Sequence, residues 1–198
     1  MSQLGSRIKL AITATIVGLG SFAVVYVIVP KAAVPAQFLE SRVRGAEIAR
    51  AIVDQSNRTL TRLDEIAVYD REGNVAEALS AISQLVVDNR AAQEKVLALA
   101  DELEEMARSI ADIRPERARV FATEAVSSEV ALVSHLLSYN DNLFVLFEAL
   151  RAKFDNPSAK TNGRVRDLIG KINEEAQAIN EFDGRFNDSL AEFDKLFQ

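Results

Sequence analysis

One imidazole stands in the chain, His135, in the run Val133-Ser134-His135-Leu136. A histidine flanked by hydroxyls, here Ser134 and Ser138, is raw material for general-base catalysis, in which the ring takes a proton from an attacking oxygen. Both serines fall in a helical pattern, where no strained turn lifts a hydroxyl and no backbone donors converge on an oxyanion. Imidazole is also a common metal ligand. Ala131, four positions before it, offers no carboxylate, there is no second His, and the Glu-x-x-His pattern of di-iron bundles is absent. A metal site would then need carboxylates alone. Glu102, Glu104 and Glu105, or Glu174 and Glu175, are close in sequence, but adjacent helical residues point in different directions. Gly18-Leu19-Gly20 lies inside an uncharged apolar run and makes no phosphate loop. The chain has no Cys, which removes disulfides, thiolate metal sites and cysteine nucleophiles. No catalytic, cofactor-binding or metal-ligating residue is expected, and no cofactor.

Two other groups of residues invite a functional reading. Ser134, His135, Ser138, Tyr139 and Asn142, with Asn140 and Asp141 among them, form a polar cluster inside the most apolar segment of the chain. They line a small pocket between helices, or they face solvent while Leu136, Leu137 and Leu143 face inward. In the same segment Val126, Val130, Val133, Leu137, Phe144 and Phe147 widen the apolar arc beyond what one helix–helix contact needs. That arc is the candidate surface for a protein partner or for self-association.

The elements that must position these residues are helices. The chain of 198 residues has 48% hydrophobic and 26% charged residues with 4 Pro and 8 Gly, the make-up of a folded chain with few interruptions. Leu39, Val43, Ala46, Ala49, Val53, Ser56, Leu60, Leu63 and Ala67 recur at three- and four-residue steps, an amphipathic helix over about 36–70. Asn74 and Glu77 form a start signal, with Asn74 as cap. From there Leu79, Ile82, Val86, Asn89, Val96, Leu103, Ala107 and Ile110 mark a second helix over 74–113. Asn89 interrupts that stripe with an amide able to set register, or else lies at a partly exposed position. Pro115 opens a third helix, 115–155, and the run DNPSAKTNG over 155–163 is a loop. Val165, Leu168, Ile172, Ala176, Ile179, Phe182, Phe186, Phe193 and Leu196 mark the last helix, 163–197. Helices of this size are on the order of 50–60 Å long. Near-equal lengths and short links predict an all-α, antiparallel up-down-up-down bundle over 36–198, which brings Phe193 and Phe197 back to the end where the bundle starts.

Before the bundle, residues 10–29 read LAITATIVGLGSFAVVYVIV without a charge. Roughly 20 such residues cross the hydrocarbon layer as a helix. Arg7 and Lys9 precede the run, Lys31 follows it, and Pro30 and Pro35 end it. The stretch is longer than a cleaved signal peptide's apolar core. The expectation is a signal anchor over 10–30 behind a short cytoplasmic leader, 1–9, with the bundle outside a bacterial-type plasma membrane. Ala11, Ala14, Gly18 and Ser21 share one face of the anchor, small enough for a second transmembrane helix to approach.

Glu175, Ile179, Arg185, Phe186, Asn187 and Phe193 give the closing helix a pattern that resembles the last helix of LemA-type proteins, which are N-terminally anchored helical bundles. The resemblance is confined to that helix. The Asp-Leu-Ile-Pro run of that family's first helix is missing, and Asp167, Leu168 and Ile169 instead precede Gly170 in the last helix. A net charge of −6 argues against nucleic acid, whose phosphates demand clustered Lys and Arg. The function expected is therefore non-enzymatic: an interaction or scaffold module with a lipid bilayer at its anchor and a protein partner or second copy at its bundle. The alternative is an extracytoplasmic ligand-sensing bundle that signals through a membrane partner.

Overall fold

The computed structural model describes residues 33–156 and 162–198. The expected membrane segment, its face of Ala11, Ala14, Gly18 and Ser21, and most of the expected loop fall outside them. Every described element is helical, and no strand occurs among the described residues. Four long helices follow one another: α1 (Ala36–Glu72), α2 (Val75–Ser109), α3 (Glu116–Asp155) and α4 (Asn162–Lys195), with a single 3-10 turn at Ile110–Asp112.

The boundaries show what starts and stops each helix. α1 runs through Asp70, Arg71 and Glu72, which the sequence pattern assigns to a break, and stops at Gly73. Gly73 adopts φ 76° and ψ 16°, and its N–H reaches back to the Tyr69 carbonyl. That left-handed conformation costs glycine nothing and costs any residue with a Cβ. Asn74 precedes α2 but makes no side-chain cap bond. Its amide turns back to donate to the Glu72 carboxylate at 2.9 Å instead. The expected capping box is therefore replaced by a bond across the turn. Pro115 stands just before α3, with Glu116 as the first helical residue. The Arg114 N–H donates to the Ala33 carbonyl at 2.8 Å, which ties the α2–α3 connection to the residues leading into α1.

Cross-helix contacts show which ends meet. The start of α1 meets the end of α2 through Arg44 and Glu102 at 2.8 Å. It also meets the end of α4 through Arg42 and Asp194 and through Phe38 and Phe193, whose rings lie 5.5 Å apart. The end of α1 meets the end of α3 through Asp70 and Lys153 at 2.7 Å. Midway along α3, His135 meets Glu175 of α4. The core fills the space between, with Phe38, Leu85, Leu99, Leu132, Phe147 and Phe186 all but sealed from water.

The buried face of α1 keeps Ala46, Ala49, Ser56, Leu63 and Ala67 of its expected stripe and departs from it at four positions. Leu39, Val53 and Leu60 are half-buried and Val43 is exposed, while Arg42, Gln55 and Thr59 are buried. Arg42 is received across the bundle by Asp194, and Gln55 accepts from Arg58 of its own helix, so their burial is tolerated. α3 is the most apolar element and, by length and composition, the one described helix able to cross a membrane. Its apolar side is instead covered by α2 and α4: Leu132, Leu136, Leu143, Leu146 and Leu150 are each at most 3% exposed.

The Arg42–Asp194 pair is bidentate, with both nitrogen–oxygen distances 2.7 Å. Removing one partner of a buried ion pair strands the other without solvation. Arg42→Ala is expected to destabilise the chain by about 3–5 kcal/mol in urea unfolding followed by circular dichroism. The Arg42→Met, Asp194→Leu double substitution recovers most of that loss, because no charge is then left buried.

Candidate functional site

His135 stands at the contact of two helices. Its Nδ1 lies 2.7 Å from Glu175 Oε2, and its ring stacks on Phe182 with centroids 5.4 Å apart. Arg185 lies over the other partner of that stack, 5.2 Å from the Phe182 ring centre. The imidazole thus joins α3 to α4. Ser134 is exposed, and its hydroxyl donates to the Val130 carbonyl of its own helix at 3.2 Å. Tyr139, one turn beyond His135, reaches the other way to α1, its oxygen 3.4 Å from Ser56 Oγ. Burial pushes the Tyr139 phenol above its ordinary range. Ser138 and Asn142 are half-buried. Within the expected pocket, His135 therefore turns toward α4 and Tyr139 toward α1.

A different polar level takes its place. Gln55, Ser56 and Thr59 of α1, Asn89 of α2, and Tyr139 and Asn140 of α3 surround a cavity of about 10 Å³. That is space for about one water molecule. The Asn89 amide donates to the Asn140 carbonyl at 3.0 Å, and the Asn140 amide donates to the Leu136 carbonyl at 2.9 Å. Asn89, left open by its sequence position, is buried and bonds α2 to α3.

The expected partner surface divides as well. Val126, Val133 and Phe147 are 6%, 7% and 0% exposed, so they belong to the core and are unavailable to a partner. Leu137 is half-buried against that core. Val130 at 52% and Phe144 at 38% remain open to solvent. The wide apolar arc of α3 is wide because two neighbours cover it, and only its edge is left over. Val130, Leu137 and Phe144 follow one another at seven-residue spacing along that edge. On α2, Leu97 is also 53% exposed.

The acidic neighbours are engaged one by one. Glu102 pairs with Arg44, whose hydrogen bond holds its carboxyl below the usual carboxylate range. Glu104 and Glu105 both meet Arg108, and Glu175 meets His135. Among the described residues no group of three or more His, Asp or Glu side chains is placed to hold a metal ion.

The residues that the pattern did not single out are the buried carboxyls. Glu129 on α3 is 0% exposed, and neither carboxyl oxygen has a hydrogen-bond partner. Loss of hydration pushes its pKa up to about 8, with the nearby charge of Asp183 adding to the rise. Asp183 on α4 is 3% exposed, and its Oδ1 is also unpartnered. Burial raises its pKa to about 6 against a restraining hydrogen bond from Asn187. A signal for both exists in the sequence: Glu129 interrupts the stripe Ala125, Leu132, Leu136, and Asp183 interrupts Ile179, Phe186, Leu190. Each acid occupies a position that helical periodicity assigns to the core.

The polar level makes a graded prediction. Asn89→Ala is expected to cost about 1–3 kcal/mol of unfolding free energy, since it removes a well-formed buried bond between helices. Tyr139→Phe costs less than about 1 kcal/mol, because its bond to Ser56 is long. Equal losses in chemical denaturation would contradict this ranking. No protein-family model, curated protein or solved structure matches the chain.

Proposed function

We propose that this chain is a membrane-tethered, non-enzymatic interaction module: an antiparallel up-down-up-down four-helix bundle, carried by an N-terminal transmembrane anchor, that associates with a second copy of itself. The observation that carries the reading is the stripe of Val130, Leu137 and Phe144 along the edge of α3, open to solvent at Val130 and Phe144 and half-buried at Leu137. Seven-residue spacing is the spacing at which two helices share a continuous apolar seam. Such a stripe is self-complementary under twofold symmetry, so two copies bury it without any other partner.

The up-down-up-down arrangement is supported by the pairs that join the start of α1 to the ends of α2 and α4. The tether is supported by the uncharged run at 10–29, and its face of Ala11, Ala14, Gly18 and Ser21 suits close approach of two anchors. Anchoring raises the effective concentration of two bundles, so a modest seam suffices. The non-enzymatic part is supported by the separate engagement of His135 with Glu175 and of the Ser134 hydroxyl with its own helix. The water-sized cavity of the polar level favours association over the sensing of a small ligand.

Two measurements test this. The full chain in detergent micelles is expected to sediment as a dimer, and Val130→Asp with Phe144→Asp is expected to shift it to a monomer while helical content stays unchanged. A wild-type chain that stays monomeric across concentrations refutes the seam. Protease treatment of oriented vesicles should cleave the bundle from one side only, leaving the anchor in the lipid; release of the intact chain by high-pH carbonate wash refutes the tether.

A further inference from the structure

A carboxyl with no partner in a closed core demands a reason, because an ionised one forfeits its hydration and receives nothing back. Glu129 is in that position, fully enclosed with both oxygens unbonded. Charged groups facing inward elsewhere in the bundle have answers. Arg42 of α1 is taken by Asp194 of α4, and Glu102 of α2 by Arg44 of α1. The charged group acting on Glu129 is Asp183 of α4, a second acid. Like charges held together in a core cannot both ionise without cost.

We propose that Glu129 and Asp183 form a proton-operated clasp between α3 and α4: a retained proton lets the two acids coexist in the closed bundle, and its loss drives the helices apart at that level. The proton resides on Glu129. Asp183 has the Asn187 side chain, which donates to its backbone carbonyl at 2.9 Å and also bonds its carboxyl. Glu129 has no hydrogen bond to hold its charged form, and both its burial and the charge of Asp183 favour the neutral one. The clasp needs no third reactant, since a proton leaves for water and returns from it.

The direction of the pH effect follows. Glu129 titrates near 4.5 when unfolded and near 8 when folded, and Asp183 moves from 3.8 to about 6. Folded-state values above unfolded ones mean that the native chain holds protons that the unfolded chain has released. The stabilisation is complete below about 4, declines as pH rises, and is gone above about 8. This runs opposite to the behaviour of carboxylates in ion pairs, which stabilise at neutral pH and fail in acid.

The test uses the full chain in micelles. In urea unfolding the equilibrium constant for unfolding should rise roughly tenfold per pH unit between about pH 5 and 8 from the Glu129 proton. Glu129→Gln, isosteric and permanently neutral, should remove one proton's worth of that slope. The chain has no cysteine, so labels are introduced at Ser127→Cys on α3 and Gly184→Cys on α4; both positions are exposed. Spin labels there should give one narrow distance at pH 5 and a longer, broader distribution at pH 9. The change should reverse on acidification and vanish in the Glu129→Gln background. If that variant does not fold, the label distances in the wild-type background still decide the matter. Parallel pH slopes in wild type and variant, or a distance unchanged from pH 5 to 9, overturn the clasp. So does stabilisation at pH 9 by added magnesium or calcium that chelator reverses, since the pair would then be a cation site.

Discussion

The burial of α3 is the constraint from which the rest of this structure follows. A helix with Leu132, Leu136, Leu143, Leu146 and Leu150 on one face and Val126, Val133 and Phe147 beside it has too much apolar circumference for a single neighbour. Covering it takes helices on two sides and a fourth across the core, which is the least that a bundle of this length can supply. The same constraint decides what is left for function. Once α2 and α4 are in place, the apolar residue of the arc is its outer edge, and a surface that seems broad in sequence becomes a narrow stripe in space.

Apolar burial alone does not select one arrangement of four similar helices. Stripes of Leu, Ile, Val and Ala slide past one another at small cost, whereas a buried polar group has partners in one register only. The bundle carries such groups at several levels. Arg42 and Asp194 close one end, Asp70 and Lys153 join α1 and α3 at the other, and Asn89 with Asn140 sits between them. His135 and Glu175 fix α3 against α4. Each of these contributes little net stability, because desolvation offsets attraction. Their effect lies in the alternatives they penalise: a one-turn slip would leave an arginine or an amide in the core without its mate.

The outline of this fold was legible because helical periodicity is a local property. The stripe in α4 identified its buried face nearly residue by residue, and Pro115 marked the junction before α3. Legibility failed where the outcome depends on a partner far along the chain. Arg42 reads as a surface residue until Asp194, at the far end of the chain, supplies its counter-charge. The candidate pocket failed for a related reason: closeness in sequence around His135 says nothing about which of three neighbouring helices each side chain meets. Val126 and Val130 differ by one turn, yet one is core and the other solvent-facing, a distinction set by where α2 and α4 lie.

Glu129 and Asp183 stand apart from every other buried charged group in the bundle. The ion pairs lower the free energy of a particular register. Two buried acids without a counter-charge do something different, because the free energy of the closed core depends on the proton activity of the surrounding water. A neutral isostere at position 129 would remove the larger part of that dependence and keep the shape of the side chain. Leucine at position 129 would continue the stripe of α3, and the helix would be more apolar and simpler for it. The clasp therefore sits where packing requirements are already met by Leu132 and Leu136 above it and Ala125 and Ala122 below. Its level can loosen while the layers on either side still hold α3 to α4, which confines the opening to one part of the bundle rather than unfolding the whole.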